Sequence, residues 1–282
     1  MWYAYAKGSW NPIEPPLRAT LFGDGVFETI HIYHHVPLFI EKHIARLAEG
    51  LTVLGLIPPL SVEEIAGQVM EIANLHPYAR LKVIAYRKGE GTYTPPTSEA
   101  GVVMGIFPYA ERGSFPLASP VVVGIYPFPV NVSMPWSRFK TLSALRYVQA
   151  AAYAKEQGYA DVILLSTSGY LSETSRANLF FWDGQTLSTP SLSTGCVEGV
   201  FQQAIRQIAR EDGIPFQEVL ITLDELAPMR EIFSTNVMQG IQPITAVLQE
   251  GRSLYHAPRD FGLAGYLALR VNRLLGSAMT NQ

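Results

Sequence analysis

Lys140 stands out in this chain of 282 residues because of the residues around it. It lies in Phe139–Ser143, at the start of a stretch that predicts an apolar helix, and the polar segment Glu173–Phe180 follows further along. A lysine amine has a pKa near ~10.4 in water, and it acts as a nucleophile at neutral pH when burial or a neighbouring cation lowers that pKa. Its commonest covalent chemistry is Schiff-base formation with a carbonyl group. Lys140 is therefore a candidate nucleophile.

The composition narrows the class of partner. The formal net charge is -3 and the basic residues are scattered, so we expect no nucleic acid and no anionic membrane surface as partners. The sequence shows no stretch of ~20 apolar residues that would cross a membrane. Its start lacks the basic lead and apolar run of a signal peptide. Because Cys196 is the single cysteine, it offers neither an internal disulfide nor a thiolate metal site. We expect a cytoplasmic enzyme that acts on a small molecule.

Apolar spacing predicts an α+β arrangement for the N-terminal part. Short apolar runs between residues 17 and 40, interrupted by Gly23-Asp24-Gly25, predict a strand, a tight turn and a hairpin. Helical spacing follows from Ile44 to Leu54, and Ser61 with Glu64 forms a capping box for a second helix. Short β-branched runs predict strands over Leu81–Tyr86, Val102–Phe107 and Val121–Tyr126.

The C-terminal part mixes helices and strands in an irregular order. Helices are predicted over Leu142–Gln157, Glu198–Glu211 and Gly262–Leu275, and strands over Asp161–Leu165, Ala177–Trp182 and Glu231–Ser234. This order lacks the regular alternation of a doubly wound sheet or a (β/α)₈ barrel. The best linker candidate is Tyr109–Pro116. We expect a small α+β domain over residues 1–112, a linker over 113–120 and a larger domain over 121–282.

Several common catalytic and binding motifs are absent. Gly23-Asp24-Gly25 precedes a strand and has no third glycine, so it is not a dinucleotide fingerprint. The sequence contains neither a phosphate-binding GxxxxGK[ST] loop nor a GxSxG nucleophile elbow. His31, His34 and His35 have no carboxylate or cysteine at ligand spacing, so we predict no metal site.

A series of short segments occurs in a fixed order along the chain: Phe22–Thr29, His43–Leu47, Phe139–Ser143, Glu173–Phe180, Gly195–Val200 and Ser234–Asn236. In this order they resemble the class IV, or fold type IV, pyridoxal-phosphate enzymes. That family includes branched-chain and D-amino-acid aminotransferases and aminodeoxychorismate lyase. The resemblance runs from Phe22 to about Pro243. It implies an α+β fold with a small N-terminal lobe and a larger C-terminal lobe with a barrel-like β core, and pyridoxal 5′-phosphate as the cofactor.

The resemblance implies distinct cofactor roles for two of these residues. Lys140 would form a Schiff base with the cofactor aldehyde and then move a proton as general base and general acid. Glu173 would lie against the pyridine nitrogen and keep it protonated. A buried carboxylate without a partner is costly, so the pyridinium itself should be the cation that pairs with Glu173.

The resemblance also implies which groups bind the cofactor phosphate. Arg46 matches the family's arginine in H-x-x-R-L and offers a planar, two-pronged donor. Gly199, Val200 and Phe201 would contribute backbone N–H groups at a helix N-terminus, with Asn236 helping from a later loop. Phe201 has no hydroxyl where the aminotransferase pattern G-I-T-R has threonine, so only its backbone can contribute.

Substrate binding is predicted for four residues near the N-terminal segments. Tyr33 follows Phe27 at the spacing of an aminotransferase tyrosine near the substrate α-carbon, which favours transamination and makes Tyr33 a candidate catalytic residue beside Lys140. Arg80 resembles the arginine with which branched-chain enzymes hold the substrate carboxylate. Arg87, further along the same predicted strand, competes for that role.

The leading prediction is a transaminase with a ping-pong Schiff-base mechanism that moves an amino group to a 2-oxo acid such as 2-oxoglutarate or pyruvate. Branched-chain L-amino acids are the favoured donors, with D-amino acids or (R)-amines as alternatives. Leu145 is shared with the D-amino-acid enzymes and the lyase, so aminodeoxychorismate lyase, which would release 4-aminobenzoate and pyruvate, stays open. A non-catalytic binding protein is a further alternative. The resemblance also implies a homodimer.

Overall fold

The computed structural model describes residues 2–6, 9–13, 18–110, 115–257 and 260–280. Its first two strands, β1 (Trp2–Ala6) and β2 (Ser9–Ile13), pair antiparallel as a separate two-stranded sheet. Two larger sheets follow, one of four strands and one of nine. The described part of the chain contains no helix with both the length and the apolar character needed to cross a bilayer.

The first lobe is built on the four-stranded antiparallel sheet, in the order β4-β3-β5-β6. Its elements in chain order are α1 (Arg18–Phe22), β3 (Gly25–Tyr33), β4 (Val36–Pro37), α2 (Ile40–Val53), α3 (Val62–Leu75), β5 (Tyr78–Arg87) and β6 (Ala100–Pro108). Burial alternates along β5 because one face packs against the helices, where Ile30, Leu47 and Leu81 form part of the core. The opposite face is left for other contacts.

The strand predicted before Gly23 is wrong, since α1 occupies that position. An apolar run as short as Leu21-Phe22 does not distinguish a helix from a strand. The capping box is confirmed: the backbone N–H of Ser61 donates to Glu64 Oε2 (2.7 Å), and the backbone N–H of Glu64 donates to Ser61 Oγ (3.1 Å).

The second lobe contains the nine-stranded sheet and three helices. Its elements are β7 (Val121–Ile125), α4 (Leu145–Glu156), β8 (Asp161–Leu165), β9 (Leu171–Thr174), β10 (Asn178–Trp182), β11 (Leu187–Pro190), α5 (Val200–Glu211), β12 (Phe216–Val219), β13 (Glu231–Asn236), β14 (Gly240–Gln249), β15 (Arg252–His256) and α6 (Gly262–Thr280). Single 3₁₀ turns lie at Leu192–Thr194 and Leu223–Glu225.

Six strands of this sheet form a ring in the order β10-β13-β14-β7-β8-β9, because β9 pairs back onto β10 at Glu173 and Asn178. The predicted barrel-like β core and α+β fold class are confirmed. Helices α5 and α6 cover one side of the ring and share a core with the stacked rings of Phe180 and Phe233. Of the predicted linker segment, residues 111–114 lie outside the described residues, and the domain boundaries stay a prediction.

Candidate active site

A cavity of about 400 Å³ is lined by residues from both lobes. The four-stranded sheet and α2 contribute one side, and the barrel and the N-terminus of α5 contribute the other. The charged residues that line it are Arg46, Arg80, Lys82, Lys140, Glu173 and Arg176. With one carboxylate among six charged side chains, the cavity favours a ligand with negative charge.

The backbone around Lys140 is fixed by strand-like pairing with β3. The backbone N–H of Phe27 donates to the carbonyl of Lys140 (2.8 Å), and that of Leu142 donates to the carbonyl of Gly25 (2.9 Å). A Cβ atom at Gly25 would lie 2.4 Å from the carbonyl oxygen of Ala85 on β5 and 2.7 Å from Leu142 Cδ1, so only glycine fits between β5 and the Lys140 segment. The pairing also explains why α4 begins at Leu145 and not at the predicted Leu142.

The amine of Lys140 lies in an environment that favours its neutral form. Its Nζ atom is 5.0 Å from the centroid of the Phe27 ring. Burial and, after it, the positive charge of Arg46 lower the pKa of Lys140 to about 8, although Glu28 and Glu173 act in the opposite direction. About a tenth of the amine is therefore unprotonated at pH 7, far more than for a lysine in water. The unprotonated amine is the form that acts as a nucleophile.

Glu173 is 4% exposed and held by three hydrogen bonds. Tyr147 Oη and Asn131 Nδ2 donate to Oε1 at 2.6 Å and 3.2 Å, and the backbone N–H of Val197 donates to Oε2 at 3.2 Å. Burial raises the pKa of Glu173, although the hydrogen bonds from Tyr147 and Val197 lower it. A carboxylate has about four acceptor positions, so one position on Oε2 is left for a donor in the cavity.

Arg46 is held rigidly at the cavity by a buried ionic cluster. Its Nε and Nη2 atoms donate to the two oxygens of Glu28 at 2.8 Å and 2.6 Å, and Nη1 donates to the carbonyl of Glu198 at 2.8 Å. Burial alone would raise the pKa of Glu28, but Arg46 and a hydrogen bond from His43 lower it to about 2. These bonds use three of the five guanidinium N–H groups, so two remain for a ligand.

The N-terminus of α5 presents backbone donors beside Arg46. The N–H of Gly199 donates to Gln202 Oε1 (3.2 Å), whereas the N–H groups of Val200 and Phe201 have no acceptor among the described residues. A Cβ atom at Gly199 would lie 1.9 Å from Asn178 Oδ1, which explains the glycine. The Phe201 side chain is buried against Phe39, so only its backbone faces the ligand position.

Asn236 and Thr235 line the cavity from the end of β13. Asn236 Oδ1 accepts hydrogen bonds from the backbone N–H groups of Met238 and Gln239 at 3.0 Å and 2.8 Å. Its side chain therefore shapes the turn after β13. The buried hydroxyl of Thr235 has no partner among the described residues, so it is the freer donor at this position.

The structure brings only part of the predicted substrate set together. Phe27 and Arg80 line the cavity. Tyr33 does not: its ring packs against those of Tyr78 and Phe115. Tyr33 shares a face of β3 with Phe27 but lies six residues further along, roughly 20 Å at the usual strand rise.

Arg87 is also outside the cavity. It lies on the opposite face of β5 from Arg80, where burial alternates from residue to residue. Its Nε atom donates to Asp24 Oδ2 (3.1 Å), and Nη2 donates to the carbonyl of Leu54 (2.6 Å). These contacts give Arg87 a structural role that ties the turn before β3 to the sheet.

Four site residues were missed by the sequence analysis: Asn131, Tyr147, Thr235 and Lys82. Lys82 had a readable signal, because residues two apart on a strand share a face and Arg80 was already a candidate. Tyr147 had none, since its contact with Glu173 joins α4 to β9, two elements that are separate in the sequence.

The chain belongs to the class IV aminotransferases: the family model "Amino-transferase class IV" matches residues 25–247. D-alanine aminotransferase of Bacillus licheniformis is 25% identical over 242 residues, which are 82% of this chain and 81% of that protein. The branched-chain aminotransferase of Thermoproteus uzoniensis, solved with norvaline, is 26% identical with a TM-score of 0.80, covering 96% of this chain and 93% of that one.

A further solved structure has the same fold. The 4-amino-4-deoxychorismate lyase from Pseudomonas aeruginosa superposes with a TM-score of 0.75 at 24% identity, covering 93% of this chain and 96% of that one. At this identity the likeness shows the fold alone. The predicted family and the predicted transaminase activity are confirmed. Class IV aminotransferases are pyridoxal-phosphate enzymes, and one solved branched-chain aminotransferase with this fold is complexed with a phosphopyridoxyl derivative.

Proposed function

We propose that this chain binds pyridoxal 5′-phosphate in the cavity and transfers the amino group of a branched-chain L-amino acid to a 2-oxo acid such as 2-oxoglutarate or pyruvate. The observation that carries the proposal is the convergence of the Lys140 amine, the Glu173 carboxylate and the Arg46 guanidinium on one cavity. The amine would react with the cofactor aldehyde, the carboxylate would pair with the ring nitrogen, and the guanidinium would bind the phosphate. D-amino acids and (R)-amines are the competing donors, because D-alanine aminotransferase is among the relatives.

The polar groups without partners support this cofactor. His43 Nε2 and Thr235 Oγ1 are buried at the cavity without a hydrogen-bond partner in the described structure. Arg46, the backbone of Val200 and Phe201, and Thr235 would hold the phosphate, with Gly199 kept small by Asn178. Glu173 would accept a hydrogen bond from the ring nitrogen. When bound, the cofactor supplies an aldehyde for the substrate amine and an electron sink for the bonds at the α-carbon.

Lys140 has the properties of the base that the reaction needs. Once its Nζ atom is free, it takes the proton from the substrate α-carbon and returns a proton at the other end of the transfer. The lowered pKa of about 8 allows the same group to act as base and as acid near neutral pH. Pairing with β3 holds the Lys140 backbone in place during both steps.

Arg80 is our candidate for the substrate carboxylate. Its guanidinium lies 4.7 Å from the centroid of the Phe107 ring, and its buried Nε has no acceptor among the described residues. A carboxylate matches the fork of donors that remains. Phe27, Val237 and Met238 line the cavity as apolar walls for a branched side chain.

The test is a panel of amino donors with 2-oxoglutarate, read as glutamate formed. We expect glutamate to depend on the donor, with branched-chain L-amino acids turned over fastest. If D-amino acids are turned over fastest, the proposed branched-chain L-amino acid donor is wrong. Release of 4-aminobenzoate from aminodeoxychorismate without any oxo acid would instead make the chain a lyase.

We also propose a homodimer with a site completed at its interface. Three apolar side chains in α4 and the segment before it are exposed, at 68% for Leu145, 59% for Val148 and 45% for Trp136, and a second copy would cover such side chains. Light scattering on the purified holoenzyme should give twice the chain mass. A fully active monomer would contradict the dimer. The cytoplasmic location stays a prediction.

A further inference from the structure

A series of hydrogen bonds connects Glu173 to a cation on α4. Arg146 Nη2 donates to Tyr147 Oη (2.9 Å), and Tyr147 Oη donates to Glu173 Oε1 (2.6 Å). The Arg146 guanidinium also lies 4.4 Å from the centroid of the Tyr147 ring, so two contacts hold it against this side chain. Tyr147 and Glu173 line the cavity, whereas Arg146 lies behind them.

The donors in this series set the direction of the tyrosine proton. A guanidinium can only donate, so Tyr147 Oη accepts from Arg146. The hydroxyl has a single hydrogen, and that hydrogen is left for Glu173. Hydrogen bonds aligned in this way polarise one another, which strengthens the bond to the carboxylate. The charge of Arg146 therefore acts on Glu173 through Tyr147.

Arg146 occupies a position where the helix itself disfavours a cation. It is the second residue of α4, in a first turn that contains no acidic side chain, and the positive end of a helix dipole repels cations there. Among the described residues, no carboxylate pairs directly with its guanidinium, and its buried Nε atom has no hydrogen-bond partner. Helix stability does not explain this arginine, and the acidic group to which its hydrogen bonds lead is Glu173.

Glu173 depends on cationic neighbours because it is buried. Burial raises its pKa, and the hydrogen bonds to its oxygens and the positive charges of Arg146 and Lys140 lower it. Lys140 loses its charge whenever it acts as a base, whereas an arginine stays charged. The other titratable groups that face this carboxylate are neutral near pH 7, because burial raises the pKa of Cys196 to about 12 and that of Tyr147 well above its usual range. Arg146 is thus the lasting cation beside Glu173.

We propose that Arg146 is a positioning residue that acts through Tyr147 to keep Glu173 ionised and its carboxylate fixed for the ring nitrogen of the bound cofactor. This inference rests on the proposed function, in which Glu173 pairs with that nitrogen. It makes the protonation of the ring nitrogen depend on a cation that does not line the cavity.

The first test uses the full-length protein without cofactor. The infrared band of the Glu173 carboxyl group, identified by subtracting the spectrum of Glu173→Gln, is followed as the pH changes. Arg146→Met removes the charge and keeps an unbranched side chain, so Glu173 should lose its proton roughly one pH unit higher than in the wild type. Arg146→Lys keeps the charge and should restore most of the difference. Arg146→Gln, which is polar but uncharged, replaces the Met variant if that variant does not fold.

A second measurement reports on the ring nitrogen itself. Pyridoxal phosphate and its 1-deaza analogue, in which a carbon replaces the ring nitrogen, differ only at the atom that Glu173 would contact. In calorimetric titrations of the cofactor-free protein, Arg146→Met should weaken the binding of pyridoxal phosphate roughly tenfold and that of the analogue no more than about threefold.

Arg206→Met is the matched control. Arg206 also lies over an aromatic ring, that of Phe216, and its buried Nε atom has no partner among the described residues, but it does not line the cavity. It should change neither measurement. An unchanged carboxyl titration in Arg146→Met, or equal weakening of the cofactor and its analogue, overturns this inference. The proposed function fails differently, since the wild-type protein would then bind no pyridoxal phosphate, while the carboxyl titration would still report on Arg146.

Discussion

Two sides of the cavity are built in opposite ways. On the barrel side, Glu173 receives three hydrogen bonds from the chain itself, so its position is set before any ligand binds. On the sheet side, Arg80 and Lys82 have no carboxylate partner in the described residues. The comparison shows which part of the site is preorganised for fixed chemistry and which part gains its partners from the substrate.

The largest effect on turnover is expected for Lys140, which lies between the two sides of the cavity. Replacing Lys140 by Ala removes the amine that moves the proton, so turnover should fall roughly 10³-fold or more. Borohydride treatment of the wild-type holoenzyme should attach the cofactor to the peptide that carries Lys140, as read by mass spectrometry. Lys155→Ala, an exposed lysine at the end of α4, is the control. Labelling of another lysine would contradict the assignment.

Because Glu173 is held in position before any ligand binds, replacing it should affect the rate more than the binding of the cofactor. Glu173→Gln keeps the shape and removes the charge, so we expect kcat to fall roughly 10²- to 10³-fold. Cofactor retention, measured by visible absorbance after dialysis, should fall much less. Glu156→Gln on the exposed end of α4 is the matched control. An unchanged rate would remove Glu173 from the ring nitrogen and break the comparison on the barrel side.

Arg80 and Arg87 lie on opposite faces of β5, so replacing each of them tests one face of the sheet. Arg80→Met should lower kcat/KM roughly 10- to 100-fold because a charged hydrogen bond to the substrate is lost. Arg87→Met should instead lower the free energy of unfolding by roughly 1–3 kcal/mol, because its hydrogen bonds to Asp24 and to the carbonyl of Leu54 are lost. Asp24 keeps its second partner, Arg18. Denaturation curves and kinetics on the folded fraction separate the two effects. The reverse pattern would return Arg87 to the substrate site.

The smallest effect should come from a supporting contact. Tyr147→Phe removes one hydrogen bond to Glu173, worth about 1 kcal/mol or roughly fivefold in kcat. Because that hydrogen bond lowers the pKa of Glu173, its loss raises the pKa, and the acid limb of the kcat profile should move to higher pH. Tyr153→Phe, on the same helix, is the control. An unshifted profile would show that Tyr147 only fills space.

Much of the site was predictable because its residues lie in short segments that each carry their own signal. Lys140, Glu173 and Arg46 meet as the segment order implied. The faces of a strand were less well predicted, since both Arg80 and Arg87 were candidates until strand register placed them on opposite sides. Side chains alternate between the two faces of a strand, so residues seven positions apart lie on opposite faces. The spacing of the two arginines in the sequence therefore already contained this information.

Contacts between distant segments could not be predicted from the sequence. The hydrogen bond from Tyr147 to Glu173 joins a helix to a strand, and the approach of Leu142 to Gly25 joins the two lobes. Both depend on how finished elements pack, which local propensity does not encode. Gly25 hinted at a close backbone approach, but its partner was identifiable only in three dimensions.

The backbone of Lys140 pairs with β3, so the register of this pairing sets the position of the Lys140 amine. Its carbonyl accepts from the backbone of Phe27, so an insertion or deletion between Gly25 and Phe27 would displace the amine by whole residues, ~3.3 Å at a time. Such a change is all-or-none for catalysis. Side-chain changes on the cavity face of β5 and β6 leave that register intact, so a library aimed at new substrates should vary this face and keep the turn before β3 constant.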